Sequence, residues 1–128
     1  MAVAEKRILV VDDEPELLEM VGDYFKGRYE VDTALSAAAA VERFAARRPD
    51  VVFLDVNMPG GNGVDVLKQL RLTDPGVPIV MVTANRDIAI TEAFLKAGAF
   101  GYVPKPFNLI YMDHLAAVAS AQPRRRTA

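Results

Sequence analysis

Three blocks of four apolar residues, at 8–11, 51–54 and 79–82, are built from Ile, Leu, Val, Phe and Met with no polar residue between them. A strand with one wet face would alternate apolar and polar residues. Unbroken blocks fit strands buried on both faces, as in a parallel sheet covered by helices. Parallel neighbours need long crossovers, and the segments between the blocks carry helical patterns. Segment 14–26 has Pro15 in a first-turn position and Leu17, Leu18, Val21 and Phe25 at helical spacing. Ser36 is placed to cap a helix with Ala40, Val41 and Phe44 that stops before Pro49. Segment 64–72 presents Val66, Leu67 and Leu70, and segment 87–97 ends at Gly98, a natural C-terminal stop. A last helix is predicted over 109–121, with Tyr111, Leu115 and Val118 along one face. Residues 29–33 do alternate and read as a half-exposed edge strand. Residues 100–103 supply a fifth strand at the other edge.

The pattern is βα repeated five times. Short connections and right-handed crossovers leave few topologies. The expected fold is α/β: a flavodoxin-like, doubly wound (βα)5 with a parallel five-stranded sheet in the order 2-1-3-4-5. Ligands bind such sheets at the carboxyl ends of strands 1 and 3, where the strand order reverses. The chain has 128 residues, of which 52% are apolar, which suits one domain with a real core. The expected boundaries are a domain over 1–121 and a basic tail or truncated linker over 122–128.

Composition excludes several classes of function. There is no cysteine, hence no disulfide framework, thiol nucleophile or thiolate-bound metal. The segment before Ile8 carries Glu5, Lys6 and Arg7 and no apolar core, which predicts no secretory signal. No apolar run is long enough to span a bilayer, so a soluble, cytoplasmic chain with no membrane partner is expected. The net charge is −2. Setting aside Arg124, Arg125 and Arg126 leaves 12 of the 15 basic residues against 17 acidic ones, a net −5. An acidic body argues against nucleic-acid binding, which depends on neutralising phosphates.

The polar residues that end the strands carry the chemistry. Asp12 and Asp13 follow the first strand, Asp55 the third, Thr83 the fourth, and Lys105 lies just past the fifth. Taken singly, an Asp before Glu14-Pro15 is most often a helix cap, Thr83 a capping hydroxyl and Lys105 a surface lysine. Together they fall on one edge of the sheet, which capping alone does not explain. Three neighbouring carboxylates repel unless a cation joins them. Mg2+ suits an all-oxygen site, with Mn2+ as a substitute. Asp13 and Asp55 would be ligands, Asp12 a ligand directly or through water, and the Asn57 backbone carbonyl a further one. An ionised Asp beside a metal and a lysine can attack phosphorus. Lys105, the Thr83 hydroxyl and the N–H groups of Asn57 and Ala84 would neutralise the phosphoryl oxygens.

These residues carry a resemblance. Leu9-Val10-Val11-Asp12-Asp13-Glu14, Asp55-Val56-Asn57-Met58-Pro59-Gly60 with Gly63, Val82-Thr83-Ala84, and Gly98-Ala99-Phe100-Gly101-Tyr102-Val103-Pro104-Lys105-Pro106-Phe107 resemble the receiver domain of two-component response regulators. The match runs from Ile8 to about Val118, and the family shares the strand order derived above. The resemblance implies phosphotransfer signalling rather than turnover as an enzyme. Asp55 would accept a phosphoryl group from the phosphohistidine of a sensor histidine kinase or a phosphotransfer protein. Asp12 and Asp13 would hold the metal, and Lys105 would bind the phosphate. Thr83 and Tyr102 would form a switch pair: Thr83 moves toward the phosphoryl group and Tyr102 turns inward. The surface made by the fourth helix, fifth strand and fifth helix would then change its packing and engage a second copy or a downstream protein. The family's cis bond is expected between Lys105 and Pro106. Kinase choice would fall to segments 14–26 and 106–108. Gly61 and Asn62 replace the larger and acidic residues common in that loop. Asn57 and Asn85 are placed to set the lifetime of the phosphoryl group.

Two other classes of protein share parts of this pattern. A metal-dependent phosphohydrolase of the haloacid-dehalogenase kind also uses an Asp nucleophile, with a second Asp two residues later as general acid/base. Here that position is Asn57, whose amide cannot serve as a general acid or base. A flavin-binding module would need a Gly- and hydroxyl-rich loop where Asp12-Asp13-Glu14 stands. His114, in the last helix, is far from the strand-end cluster and reads as a surface residue. Met58 and Met81 read as core or turn residues. Ile88, Ile90, Phe94, Phe100, Tyr111 and Met112 are candidates for a partly apolar output face.

Overall fold

A computed structural model describes residues 6–58, 63–84, 88–106 and 108–121. Residues 59–62 (with Gly61 and Asn62), Asn85, Phe107 and residues 122–128 lie outside the described residues. The chain runs β1 (Lys6–Val11), α1 (Pro15–Phe25), β2 (Tyr29–Ala34), α2 (Ala37–Ala46), β3 (Val51–Asp55), α3 (Gly63–Thr73), β4 (Ile79–Thr83), α4 (Ile88–Lys96), β5 (Gly101–Pro104) and α5 (Leu109–Ser120). All strand pairs are parallel, and the sheet order is β2-β1-β3-β4-β5, as the sequence pattern predicts.

Side chains alternate across each strand and divide the core in two. Leu9, Val11, Val52, Leu54, Ile79 and Met81 pack on one face with Phe44 of α2, Leu67 of α3 and Phe94 of α4. Ile8, Val10, Val51, Phe53, Val80 and Val82 pack on the other with Leu18 and Phe25 of α1 and Met112 of α5. Every residue of β3 and β4 is buried, which explains why their sequences show no polar alternation. The edge strand β2 is mostly half-buried, in line with its alternating sequence.

The helix ends follow local chemistry. The Ser36 side chain accepts a hydrogen bond from the Ala39 N–H and caps α2. Asn108 caps α5 by accepting from the N–H groups of Ile110 and Tyr111. Gly63 opens α3 so close to the chain leaving β3 that a Cβ there would lie 2.9 Å from Val56 Cα. In α5 the buried face is Met112, Ala116 and Ala119. Leu115 sits at its border, while Tyr111 and Val118 face solvent, so the face expected from Tyr111, Leu115 and Val118 is rotated outward. This helix is apolar nearly all round, so periodicity does not select its inner side.

Candidate functional site

Strand register assembles the site. Val11 pairs with Leu54, so the next residues, Asp12 and Asp55, leave adjacent strands side by side. Asp55 pairs with Val82, which places Thr83 one step beyond it on β4. Thr83 pairs with Pro104, and the Lys105 N–H donates to the Thr83 carbonyl at 2.9 Å. Lys105 therefore starts two strands away from Asp55, roughly 10 Å at the usual spacing of parallel strands. Its long side chain crosses that gap, and Nζ lies 3.1 Å from Asp55 Oδ2 and 3.1 Å from Asp12 Oδ2.

Asp12, Asp55 and Thr83 are buried, while Asp13 and Asn57 are exposed at the mouth of the site. Asp55 Oδ1 accepts a hydrogen bond from the Asn57 N–H at 3.0 Å. Asp12 Oδ1 accepts one from the Glu14 N–H at 2.9 Å. Helix α1 begins at Pro15 behind Glu14, whose side chain makes no cap, so neither Asp12 nor Asp13 serves as the N-cap residue. The lone-residue reading of the acidic pair as a helix cap does not describe this structure.

The electrostatics are those of a crowded anionic site. Burial pushes the Asp12 carboxyl above the usual carboxylate range, and the charge of Asp55 adds to this. The Glu14 N–H and the Lys105 ammonium act in the opposite direction without cancelling it. For Lys105, burial favours the neutral amine, but hydrogen bonding and charge from Asp12 and Asp55 outweigh it and raise its pKa.

The residues fit a hard divalent cation. One carboxylate oxygen from each of Asp12, Asp13 and Asp55 lies within 4.8 Å of the others. Apart from the ion pair with Lys105, Asp12 Oδ2 is buried without a hydrogen-bond donor among the described residues. A buried, under-satisfied carboxylate oxygen facing two further carboxylates is a ligand set for an oxygen-seeking ion.

Tyr102, opposite Met81 on the edge strand, is 45% exposed, so its ring lies outward while Thr83 lies buried. The Lys105–Pro106 bond is cis, as expected from the resemblance. Met58 and Met81 are core residues, and His114 is exposed on α5. Of the candidate output residues, Phe94 and Met112 are buried, and Ile88, Ile90, Phe100 and Tyr111 are exposed. Two contacts have no signal in the sequence: the second partner of Lys105, Asp12, and the Asn57 N–H on Asp55. The first depends on a side chain reaching across two strands, and the second on backbone geometry after the strand. No helix among the described residues is long and apolar enough to cross a membrane.

Comparison with known proteins identifies the family. The family model for the response regulator receiver domain matches residues 8–117. The DNA-binding response regulator MtrA of Mycolicibacterium smegmatis is 46% identical over 110 residues, covering 84% of this chain and 47% of the relative. The nitrogen assimilation regulatory protein NtrX of Azorhizobium caulinodans is 36% identical over 104 residues, covering 79% of this chain and 23% of the relative. The chain thus spans less than half the length of these relatives. Among solved structures, the chemotaxis protein CheY4 of Vibrio cholerae superposes with a TM-score of 0.85 at 29% identity, covering 91% of this chain and 99% of that one. A response regulator from Chloroflexus aurantiacus gives 0.83 at 32% identity, covering 93% and 100%. With its sheet order, its acidic strand-end cluster and this match over most of its length, the chain belongs to the response regulator receiver domains of two-component signalling.

Proposed function

We propose that Asp55 is the phosphoacceptor and that residues 1–121 form the receiver unit, with 122–128 as a tail or linker. The observation that carries this reading is the Lys105 ammonium, 3.1 Å from both Asp12 and Asp55 at the one edge where three carboxylates meet. In the reaction, an Asp55 carboxylate oxygen attacks the phosphorus of a phosphohistidine on a sensor kinase or phosphotransfer protein. The P–N bond breaks, its electron pair returns to the imidazole nitrogen, and that nitrogen takes up a proton. The product is an acyl phosphate on Asp55. Lys105 follows the charge onto the new phosphoryl oxygens, and the Asn57 N–H, already aimed at Asp55, stays at hand to donate. A Mg2+ ion held by Asp12, Asp13, Asp55 and the Asn57 carbonyl would neutralise the carboxylates and the phosphoryl charge.

The same geometry supports a switch. Thr83 is buried beside the site, and Tyr102 is on the adjoining strand with its ring outward. A new dianion draws the Thr83 hydroxyl toward it, and Tyr102 fills the space left behind. The surface of α4, β5 and α5, with Ile88, Ile90, Phe100, Ile110 and Tyr111 exposed, is where a second copy or a downstream protein would engage. The chain works in the cytoplasm as a signalling module that assists its own phosphorylation and dephosphorylation. The phosphohydrolase alternative lacks its acid/base, because Asn57 cannot carry the proton.

The test is Asp55→Asn with acetyl phosphate and Mg2+, read by intact mass. Wild type should gain one acid-labile phosphoryl group and the variant none, with unchanged folding by circular dichroism. Stoichiometric labelling of Asp55→Asn would sink the assignment. Repeated turnover of a small phosphate monoester by wild type would favour the hydrolase.

A further inference from the structure

A groove of about 300 Å³ opens between the first turns of α1 and the carboxyl end of β2. Pro15, Leu18, Thr33 and Leu35 give it mostly apolar walls, and Glu19 is its one charged residue. Pro15, Leu18, Glu19 and Gly22 form one stripe of α1, at spacings of three and four residues. A Cβ on Gly22 would meet nothing within 4 Å, and Gly22 is not among the glycines with positive φ. Glycine weakens a helix interior relative to alanine, and here neither crowding nor backbone conformation calls for it. Its effect is to leave the stripe open beside the groove.

A matching projection stands elsewhere on the molecule. Helix α3 buries Val66, Leu67 and Leu70 and turns Leu72 outward. Leu72 is 86% exposed, more than any other large apolar side chain among the described residues. Lys68 is exposed one turn before it, and Arg48 reaches the end of α3 by donating to the Thr73 carbonyl at 3.4 Å. Asp65, the acid on this face, is two turns from Leu72. The groove has the opposite charge: Glu16 and Asp23 are exposed within about one turn of Glu19, and α1 contains no basic residue. Glu16, Glu19, Asp23 and Lys68 form no ion pair among the described residues. Leu18 of α1 packs on one face of the sheet, and Leu67 and Leu70 of α3 pack on the other. The sheet stands between them, so Leu72 cannot enter the groove of its own chain.

We propose that the groove between α1 and β2 receives Leu72 of a second copy of this chain, whose Lys68 and Arg48 then face Glu16 and Glu19. An apolar side chain closes onto apolar walls at the centre, and opposite charges meet at the rim. The contact is heterologous, since it joins the groove of one copy to the α3 face of the next. Each copy keeps one unused half, so association continues by addition rather than closing as a symmetric pair. One helix against one groove is a small contact, which makes the association weak and reversible. It uses a surface separate from α4, β5 and α5, and it does not rest on Asp55 being the phosphoacceptor.

Analytical ultracentrifugation of the protein without a phosphoryl analogue tests this. The weight-average mass of wild type should rise with concentration and fall as added salt screens the rim charges. Leu72→Ser removes the projection, and Gly22→Leu fills the groove. Each should weaken association roughly tenfold or more, with folding checked by circular dichroism. Mixing the two variants should restore association, because one brings an intact groove and the other an intact Leu72. That mixed complex should stop at two chains. Glu19→Lys and Lys68→Glu, both at exposed positions, should each weaken association and recover it when mixed, and they carry the same expectation if Gly22→Leu does not fold. A wild type that stays monomeric up to about 1 mM, the weak end of specific affinity, would overturn the proposal. Association that survives both Leu72→Ser and Gly22→Leu would place the contact on another surface and overturn it too, as would mixtures that stay monomeric.

Discussion

Strands β3 and β4 and the flank formed by α4, β5 and α5 are built on opposite terms. All ten residues of the two central strands are buried, between core layers on both faces. On the flank, α4 buries Phe94, β5 buries Val103 and α5 buries one face through Met112, Ala116 and Ala119, while Ile88 and Ile110 are 73% and 75% exposed. The centre holds the backbone of Asp55 and Thr83 at the ends of strands packed between both layers, which leaves movement there to the side chains. The flank carries exposed apolar surface at Ile88, Ile90, Phe100, Ile110 and Tyr111. A tightly packed strand-end cluster and a more exposed flank therefore coexist in one small domain, because local stability follows local burial.

Several substitutions would break or sharpen this contrast. Phe53→Ala, in the middle of β3, should cost about 3–5 kcal/mol in chemical denaturation. Phe94→Ala should cost less, because α4 can settle into the space. Equal losses would mean that the flank is as firmly packed as the centre. Next comes the metal. If Asp12, Asp13 and Asp55 bind Mg2+, saturating ion at about a hundred times its dissociation constant should add about 2.7 kcal/mol of stability. Asp12→Asn should abolish that gain, read as the shift in melting temperature on adding Mg2+.

The same variant should melt higher than wild type without metal. The sign follows from Asp12, whose carboxyl is raised in the folded state, first by burial. Such an acid costs stability at neutral pH, and the cost fades as pH falls from its folded value through the ordinary carboxylate range. Without metal, wild type should therefore gain on Asp12→Asn as acid is added. A variant that melts lower than wild type without metal would show that the ion pair with Lys105 outweighs the burial.

Ser36→Ala removes one cap from α2 and should cost about 1 kcal/mol. Smallest is Ile110→Ser, on the exposed side of α5, which should change stability by no more than about 0.5 kcal/mol. It should nonetheless weaken any dimer that beryllofluoride induces, measured by light scattering. A large stability loss from Ile110→Ser would show that the flank is already packed.

The site was legible because its residues end strands. Asp12, Asp55 and Thr83 are each the first polar residues after an unbroken apolar block, and register alone carries them to a common edge. Lys105 was legible by its place after β5, but its contact with Asp12 was not, because sequence does not state how far a side chain reaches or which of two carboxylates it meets. The inner face of α5 was not legible. Ala116 and Ala119 lie against the sheet because they let the helix approach closely, while the larger Tyr111 and Val118 stay outside. Arg71 carries no signal in the sequence, since its partners, at Pro75, Val77 and Gly98, are backbone carbonyls, which every residue has.

By itself the sequence determined the alternation of strands and helices, the parallel sheet and the edge on which its acids, hydroxyl and lysine collect. It did so because solvent exclusion writes itself into the period of apolar residues, and strand ends are marked by where that period stops. Only the tertiary structure decided the ion pairs of Lys105, the buried side of α5 and the tie from Arg71 to α4. Those depend on distances between elements far apart in the chain, and on contacts to backbone atoms that carry no signature in the side chains.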